Sequence, residues 1–254
     1  MLVSRIGLTP LKGARHSSCP GVDLTVDGPR GDRVFCLVDP ARHRVLRTVE
    51  HPRLMSTQAR WDDGLLRTRL PSGTVQGRPE PAGHTLKVDY WGRQVALDVV
   101  DGPWAAAYSA LLGLDVALAR STHPGDVVYG ASVTLVTSSS LARLARETGG
   151  PVDEAGFRAT FTLDTEGEPP HVEDAWVGRR LALGAAEVEV RGTVPRCAVV
   201  DLDPRTGRRP TKGSAGLLAA LGRYRQAPDG VLFGVDAVVT RPGRVELGAR
   251  AERS

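Results

Sequence analysis

The sequence predicts an α+β chain that is mostly β. An N-terminal β-barrel-like domain over residues 1–102 packs on a C-terminal β-barrel domain over residues 103–254 that carries a few short helices. Three observations lead there. Short apolar runs, several alternating with polar residues, recur at near-regular spacing through the first hundred positions. Gly 29 and Pro 18 supply many turns, so long helices do not dominate. Helical patterns are short and begin only after Pro103. With 254 residues, 41% hydrophobic and 24% charged, the chain can bury one large core or two ordinary ones.

The elements follow in order. "RVFCLVD", Arg33 to Asp39, is apolar and bounded by Gly31-Asp32 and Asp39-Pro40; "HRVLRTV" comes after a four-residue turn and reads as its hairpin partner. "LMSTQARWDDGLLRTRLPSG" gives two strands about Asp63-Gly64, and "HTLKVDYWGRQVALDVVDG" two more about Trp91-Gly92. Past Pro103, "PWAAAYSALLG" is helical up to Gly113, a C-cap glycine. "ASVTLVTS" is a strand. "SSSLARLARETGG" is a helix with Ser139 or Ser140 as N-cap and Gly149-Gly150 as its stop. "FRATFTLDT" alternates as a strand, "RRLALGAAEVEVRG" as a hairpin, and "AVVDLDP" as a strand running inward from Arg196-Cys197. "GLLAALGRYR" is a short helix, and two strands end the sequence.

Composition narrows the function classes. The net charge is +4, and Arg supplies nearly all of the positive charge, Lys occurring only at Lys12, Lys87 and Lys212. No dense basic run with interleaved aromatics is present, so nucleic-acid binding is not expected, whereas scattered Arg suits a small anionic ligand. No stretch reaches the length of a membrane span, and "MLVSRIGLTPLKG" has no apolar leader core. Three cysteines without CxxC spacing, Cys19, Cys36 and Cys197, speak for reduced thiols and a cytoplasmic protein. The six histidines form no HxH, HxxxH or HExxH pattern, and GxSxG, P-loop and GxGxxG motifs are missing.

The chemistry-bearing candidate is Cys197, next to Arg196 and Pro195 in "TVPRCAVVDLDPRTG". A neighbouring guanidinium stabilises a thiolate, the form that binds metal or attacks; a small buried residue would fit the same pattern. Cys36, inside "VFCLVD", reads as core. Lys12, Arg33 and Arg158 stand at strand starts or in loops. Each alone reads as a surface charge; together they suggest an anion site, Arg gripping phosphate bidentately and Lys as a point charge. "PPHVEDAWVG" reads as a turn whose Trp176 packs on the barrel.

These pieces resemble the MOSC family, named for the C-terminal domain of molybdenum cofactor sulfurases and including the mitochondrial amidoxime-reducing component and bacterial relatives. "RCAVVDLDPRTG" resembles the family's Arg-Cys-(apolar)-Asp-Pro-x-Thr-Gly segment, "LTPLKG" its Tyr-Pro-Val-Lys-Ser segment, and "GDRVFCLVD" its Gly-x-x-x-Asp-Arg-x-(apolar)-Val-Asp strand. "EHPRLM", "SSSLARL", "FRATFTLD", "EDAWVGRRLALG" and "LFGVDAVVTRPGRVELG" follow in the family's order, so the likeness covers nearly the whole chain. It implies a MOSC N-terminal β-barrel domain at 1–102 and a MOSC domain at 103–254. It also implies a molybdenum–pterin cofactor with Cys197 as molybdenum ligand and catalytic residue. Lys12, Arg33, Arg158 and Arg196, with Ser140 or Thr160, would bind the rest of the cofactor.

The implied reaction is reduction of N–O bonds in N-hydroxylated small molecules, with electrons from an external donor; the sequence carries no flavin, haem, iron–sulfur or PLP-domain signature. The alternatives are a sulfur carrier using a Cys197 persulfide loaded by a separate cysteine desulfurase, and a non-catalytic anion-binding module. Departures from the family pattern stand at Thr9 (aromatic in relatives), Ala159 (Pro), Thr160 (Asn) and Val49, with Arg47 two residues before it.

Overall fold

The computed structural model describes residues 1–123, 125–209 and 216–253. As the sequence predicts, the chain is mostly β, with short helices at Trp104–Leu112, Ser138–Thr148 and Leu217–Gly222. Five strands close a barrel: Glu80–Tyr90, Arg93–Asp101, Ala117–Ser121, Phe35–Asp39 and Arg44–Val45. Period-two alternation explains its packing. In Arg93–Asp101, Val95 and Leu97 turn into the barrel beside Val88, Tyr90 and Cys36, while Gln94 and Asp98 face water. Phe35–Asp39 is buried on both faces. Cys36 and Val38 fill the barrel; Phe35 and Leu37 pack outward into a second layer with Leu54, Leu66, Trp104 and Tyr108. That layer is roofed by a three-stranded sheet, Gln58–Asp62, Leu65–Leu70 and Gly73–Gly77.

The second unit is a nine-stranded sheet whose centre is Phe161–Asp164, Val133–Thr137, Gly230–Arg241 and Ala186–Arg196. Leu2–Leu8 lies near one end and Ala251–Arg253 at the other. An isolated bridge between Leu2 and Arg250, with backbone bonds from Val3 to Ala249 and from Ala251 to Met1, draws the two ends together. The sheet thus curls around one apolar core containing Ile6, Leu135, Phe161 and Val235. Trp176 lies in that core, buried as expected.

Both hairpin turns form where the sequence put them, with Asp63-Gly64 at φ 51° and 74° and Trp91-Gly92 at φ 54° and 79°. Gly113 and Gly149 cap their helices in the left-handed conformation. Among the described residues no helix is long and apolar enough to cross a membrane.

Four expectations are corrected. First, the N-cap of Ser138–Thr148 is Thr137, not Ser139 or Ser140. Thr137 keeps extended backbone and its side chain accepts from the Ser140 amide, so the two serines are already inside the helix. Second, "AVVDLD" is not a strand. The pairing partner runs out at Arg196 opposite Val231, and Ala198–Asp201 coils into a 3-10 turn. Third, Arg158 does not begin a strand; it is the left-handed C-cap of the 3-10 turn Glu154–Phe157, and the strand starts at Phe161.

Fourth, strand pairing crosses position 102/103 in both directions. Ala117–Ser121 completes the first barrel against Phe35–Asp39 and Arg93–Asp101, and the helix Trp104–Leu112 buries Trp104 and Tyr108 in that unit's outer layer. Conversely, Leu2–Leu8 pairs with Phe161–Asp164, and Gly21–Thr25 with Gly243–Glu246. Local composition changes at Pro103, but hydrogen-bonding partners do not.

Candidate functional site

A cleft of about 350 Å³ draws its walls from both units. Lys12, Arg33, Tyr90 and Trp91 line it from one side, and Arg158, Arg196 and Cys197 from the other.

Cys197 follows the last residue of the strand Ala186–Arg196, with extended backbone, and caps the 3-10 turn Ala198–Asp201. Its side chain is exposed in the cleft. That removes the small-core-residue reading. Cys36 is the opposite case: it is sealed inside the barrel, where burial pushes its thiol up to about 12.

Arg196 is anchored by a neighbouring strand and by the 3-10 turn Glu154–Phe157. Nε donates to the Phe233 carbonyl at 2.7 Å and Nη1 to the Phe157 carbonyl at 2.9 Å, with the guanidinium 5.5 Å over the Phe157 ring. Among the described residues the buried Nη2 meets no partner. Arg158 likewise has a buried, unpartnered Nη1. Burial lowers both guanidinium groups to about 10, and for Arg158 the charge of Arg33 adds to it. Arg33 pairs with Asp32, whose other oxygen accepts from the Thr9 amide at 2.8 Å, and its Nη2 reaches the Arg158 carbonyl at 3.4 Å. Lys12 donates to the Tyr90 hydroxyl at 2.9 Å, and its ammonium lies 4.7 Å from the ring centre. Burial, then Arg33 and Arg158, bring Lys12 down to about 7.

Two of these cations sit in strained backbone: Arg33 at φ 49° and Arg158 at φ 54°. Non-glycine residues adopt that region at a cost and are held there by their surroundings. The combination of crowded cations, left-handed backbone and orphaned buried N–H groups is poor packing for its own sake. It suits an anion that completes the missing hydrogen bonds.

Ser140 and Thr160 do not line the cleft. Ser140 is fully buried and donates to the Glu173 carboxylate at 2.8 Å, where Thr137 also donates at 2.8 Å; the Ser140 oxygen accepts from the His171 amide. Thr160 exchanges two bonds of 3.1 Å with Thr134, its oxygen accepting from the Thr134 amide and its amide donating to the Thr134 hydroxyl. Both hydroxyls are consumed by internal partners.

Sequence reasoning missed Tyr90 and Tyr129 as cleft residues, and treated Arg47 and Trp91 only as a pattern departure and a turn. Trp91 did carry a signal: a bulky aromatic stands where a tight hairpin turn favours Asn, Asp or Gly. Glu173, read as part of a surface turn, is fully buried, and burial raises its pKa.

Comparison with known proteins identifies the family of the chain. No curated protein matches it. Among solved structures, the YUAD protein from Bacillus subtilis is similar at a TM-score of 0.45 and 12% identity, covering 99% of this chain and 94% of that one. YiiM from Geobacillus stearothermophilus is similar at a TM-score of 0.32 and 18% identity, covering 48% of this chain and 54% of the other. The family model described as MOSC domain matches residues 119–252, more than half of the sequence and the part that contributes Arg158, Arg196 and Cys197 to the cleft. By that match the chain belongs to the MOSC domain family.

Proposed function

We propose that the protein is a molybdenum-cofactor oxidoreductase that reduces N–O bonds of N-hydroxylated small molecules, with Cys197 as the protein ligand to molybdenum. MOSC proteins are associated with molybdenum-cofactor and sulfurase-type chemistry. The observation that carries the reading is an exposed thiol in a cleft whose walls hold buried guanidinium N–H groups that meet no partner among the described residues. The residues fit the group. A soft thiolate suits a high-valent metal, and Arg158 Nη1 and Arg196 Nη2 can complete their bonds on a phosphorylated ligand. Lys12 and Arg33 add positive charge on the facing wall.

The bound centre supplies two-electron oxygen-atom transfer. Breaking an N–O bond then consumes two electrons and two protons and yields the reduced nitrogen compound and water; the electrons come from an external donor protein. The chain's own part is to hold charge and protons. Arg158 and Arg196 would hold the anionic part of the ligand through their buried N–H groups. Lys12 Nζ holds a proton it can release near neutrality, with the Tyr90 hydroxyl as its neighbour.

The test is metal and pterin analysis of protein from a cofactor-competent host. One molybdenum per chain, lost in Cys197→Ala with the fold retained, is expected; molybdenum-free native protein overturns the reading. A second reading, a sulfur carrier, is favoured by the exposure of the same thiol. It predicts an added sulfur atom on Cys197 in the intact mass, supplied by a cysteine desulfurase.

A further inference from the structure

Among the described residues, Trp91 at 45% and Tyr129 at 57% are the exposed aromatic side chains; the other Trp, Tyr and Phe residues are buried or half-buried. Both line the cleft, and their rings meet at 5.6 Å between centroids, tilted by 59°. They come from separate segments that are tied together: Arg93 Nη2, beside the hairpin turn, donates to the Val128 carbonyl at 2.8 Å. Arg47 lies over the Trp91 ring at 4.3 Å, its own charge offset by Glu50 at 3.8 Å and Asp89 at 3.7 Å. The patch is therefore apolar and close to neutral, unlike the cationic walls around Cys197.

The backbone under Trp91 points the same way. The turns at Asp63-Gly64 and Trp91-Gly92 have nearly the same φ values, 51° and 74° against 54° and 79°. One uses the residue such a turn prefers; the other uses a bulky aromatic, for which the left-handed region is a strained exception. The turn backbone does not call for an indole; what the indole supplies is its packing under Arg47 and against Tyr129 at the cleft.

We propose that Trp91 and Tyr129 form a ring-binding subsite that selects flat aromatic substrates over saturated ones of the same size. A planar ring packs against the parts of these two rings left open to the cleft, one face of Trp91 being covered by Arg47, while its N–O group reaches toward Cys197. Stacking adds to ordinary apolar burial only for a ring with a π-face, and a puckered ring gains only the burial. The inference deepens the reductase reading and rests on it for the N–O group.

The experiment separates the two. The full chain, made in a host lacking the cofactor, is titrated with benzhydroxamic acid and with cyclohexanecarbohydroxamic acid, followed by ligand-observed NMR. The aromatic probe should bind about two- to tenfold more tightly. Trp91→Asn should bring the ratio close to one while the melting temperature stays level or rises, because asparagine suits the left-handed turn. Tyr129→Leu should lower the ratio by less. Equal affinities in the native chain overturn the proposal. So does a ratio that survives Trp91→Asn and Tyr129→Leu together, or one that vanishes once the cofactor is loaded, which would assign the lip to the cofactor. Native protein that takes up no molybdenum but keeps the ring preference overturns the reductase reading and supports the subsite.

Discussion

Two polar clusters differ in one respect. Around Glu173, the carboxylate is met by the Thr137 and Ser140 hydroxyls, and Ser140 in turn accepts from the His171 amide. Around the cleft, Arg158 and Arg196 each leave a buried N–H with no partner among the described residues, and Lys12, Arg33 and Arg158 repel one another. In the first cluster the Glu173 carboxylate and both hydroxyls are satisfied, although the adjoining His171 ring nitrogens meet no partner among the described residues, and the cluster serves the fold. The second is incomplete, as the proposed ligand site requires. Hydrogen-bond completeness, more than residue type, separates the two, since both are built from groups that a cofactor could use.

Substitutions should therefore divide cleanly between folding and binding. The largest effect is expected at Glu173→Ala, which strips two buried hydroxyls of their acceptor and opens a hole. Chemical unfolding should report a loss of about 3 kcal/mol, and Glu173→Gln, which keeps an acceptor, a smaller one. A variant at full stability would break the comparison. Next, Arg158→Ala should weaken inorganic phosphate binding by about 10- to 100-fold in calorimetric titration without lowering the melting temperature. If it unfolds the protein instead, the cleft is structural after all.

Lys12 sharpens the contrast through pH. Its folded value is about 7 against 10.5 for the free side chain. Between those values the unfolded chain binds more protons, so stability should rise with pH from about 7 to about 10. Over the same rise through 7 the folded protein loses the charge, and phosphate affinity should fall, by up to about tenfold for one charged contact. Unfolding and binding series across that range, compared with Lys12→Met, should show both slopes flattened in the variant. The smallest effect is expected at Thr160→Val: about 1 kcal/mol of stability, from the lost bond to the Thr134 amide, and unchanged phosphate affinity.

What could be read from the sequence follows the range of the interactions involved. Gly113 and Gly149 and the turns at Asp63 and Trp91 depend on neighbours within a few positions, so they were legible. The family resemblance puts Ser140 or Thr160 at the cofactor, but a serine between a strand and a helix looks the same whichever way its hydroxyl turns. Its acceptor, Glu173, lies 33 positions away and is brought in only by the fold. The end of the strand at Arg196, which leaves Cys197 exposed, is set by the partner strand at Val231. Arg33 and Arg158 were legible as cations, but their left-handed backbone was not, since nothing local demands it.

The pairing of Leu2–Leu8 with Phe161–Asp164 has a consequence for how the molecule is made. Ser4 and its acceptor, the Thr162 carbonyl, stand 158 positions apart, so during synthesis this strand can form only its short local pairing with Ser17–Ser18 until Phe161–Asp164 has been made. Closure of that long loop is entropically slow. Once made, it pins the wall bearing Lys12 to the wall bearing Arg158, and the cleft acquires its shape in the same late event that completes the second sheet.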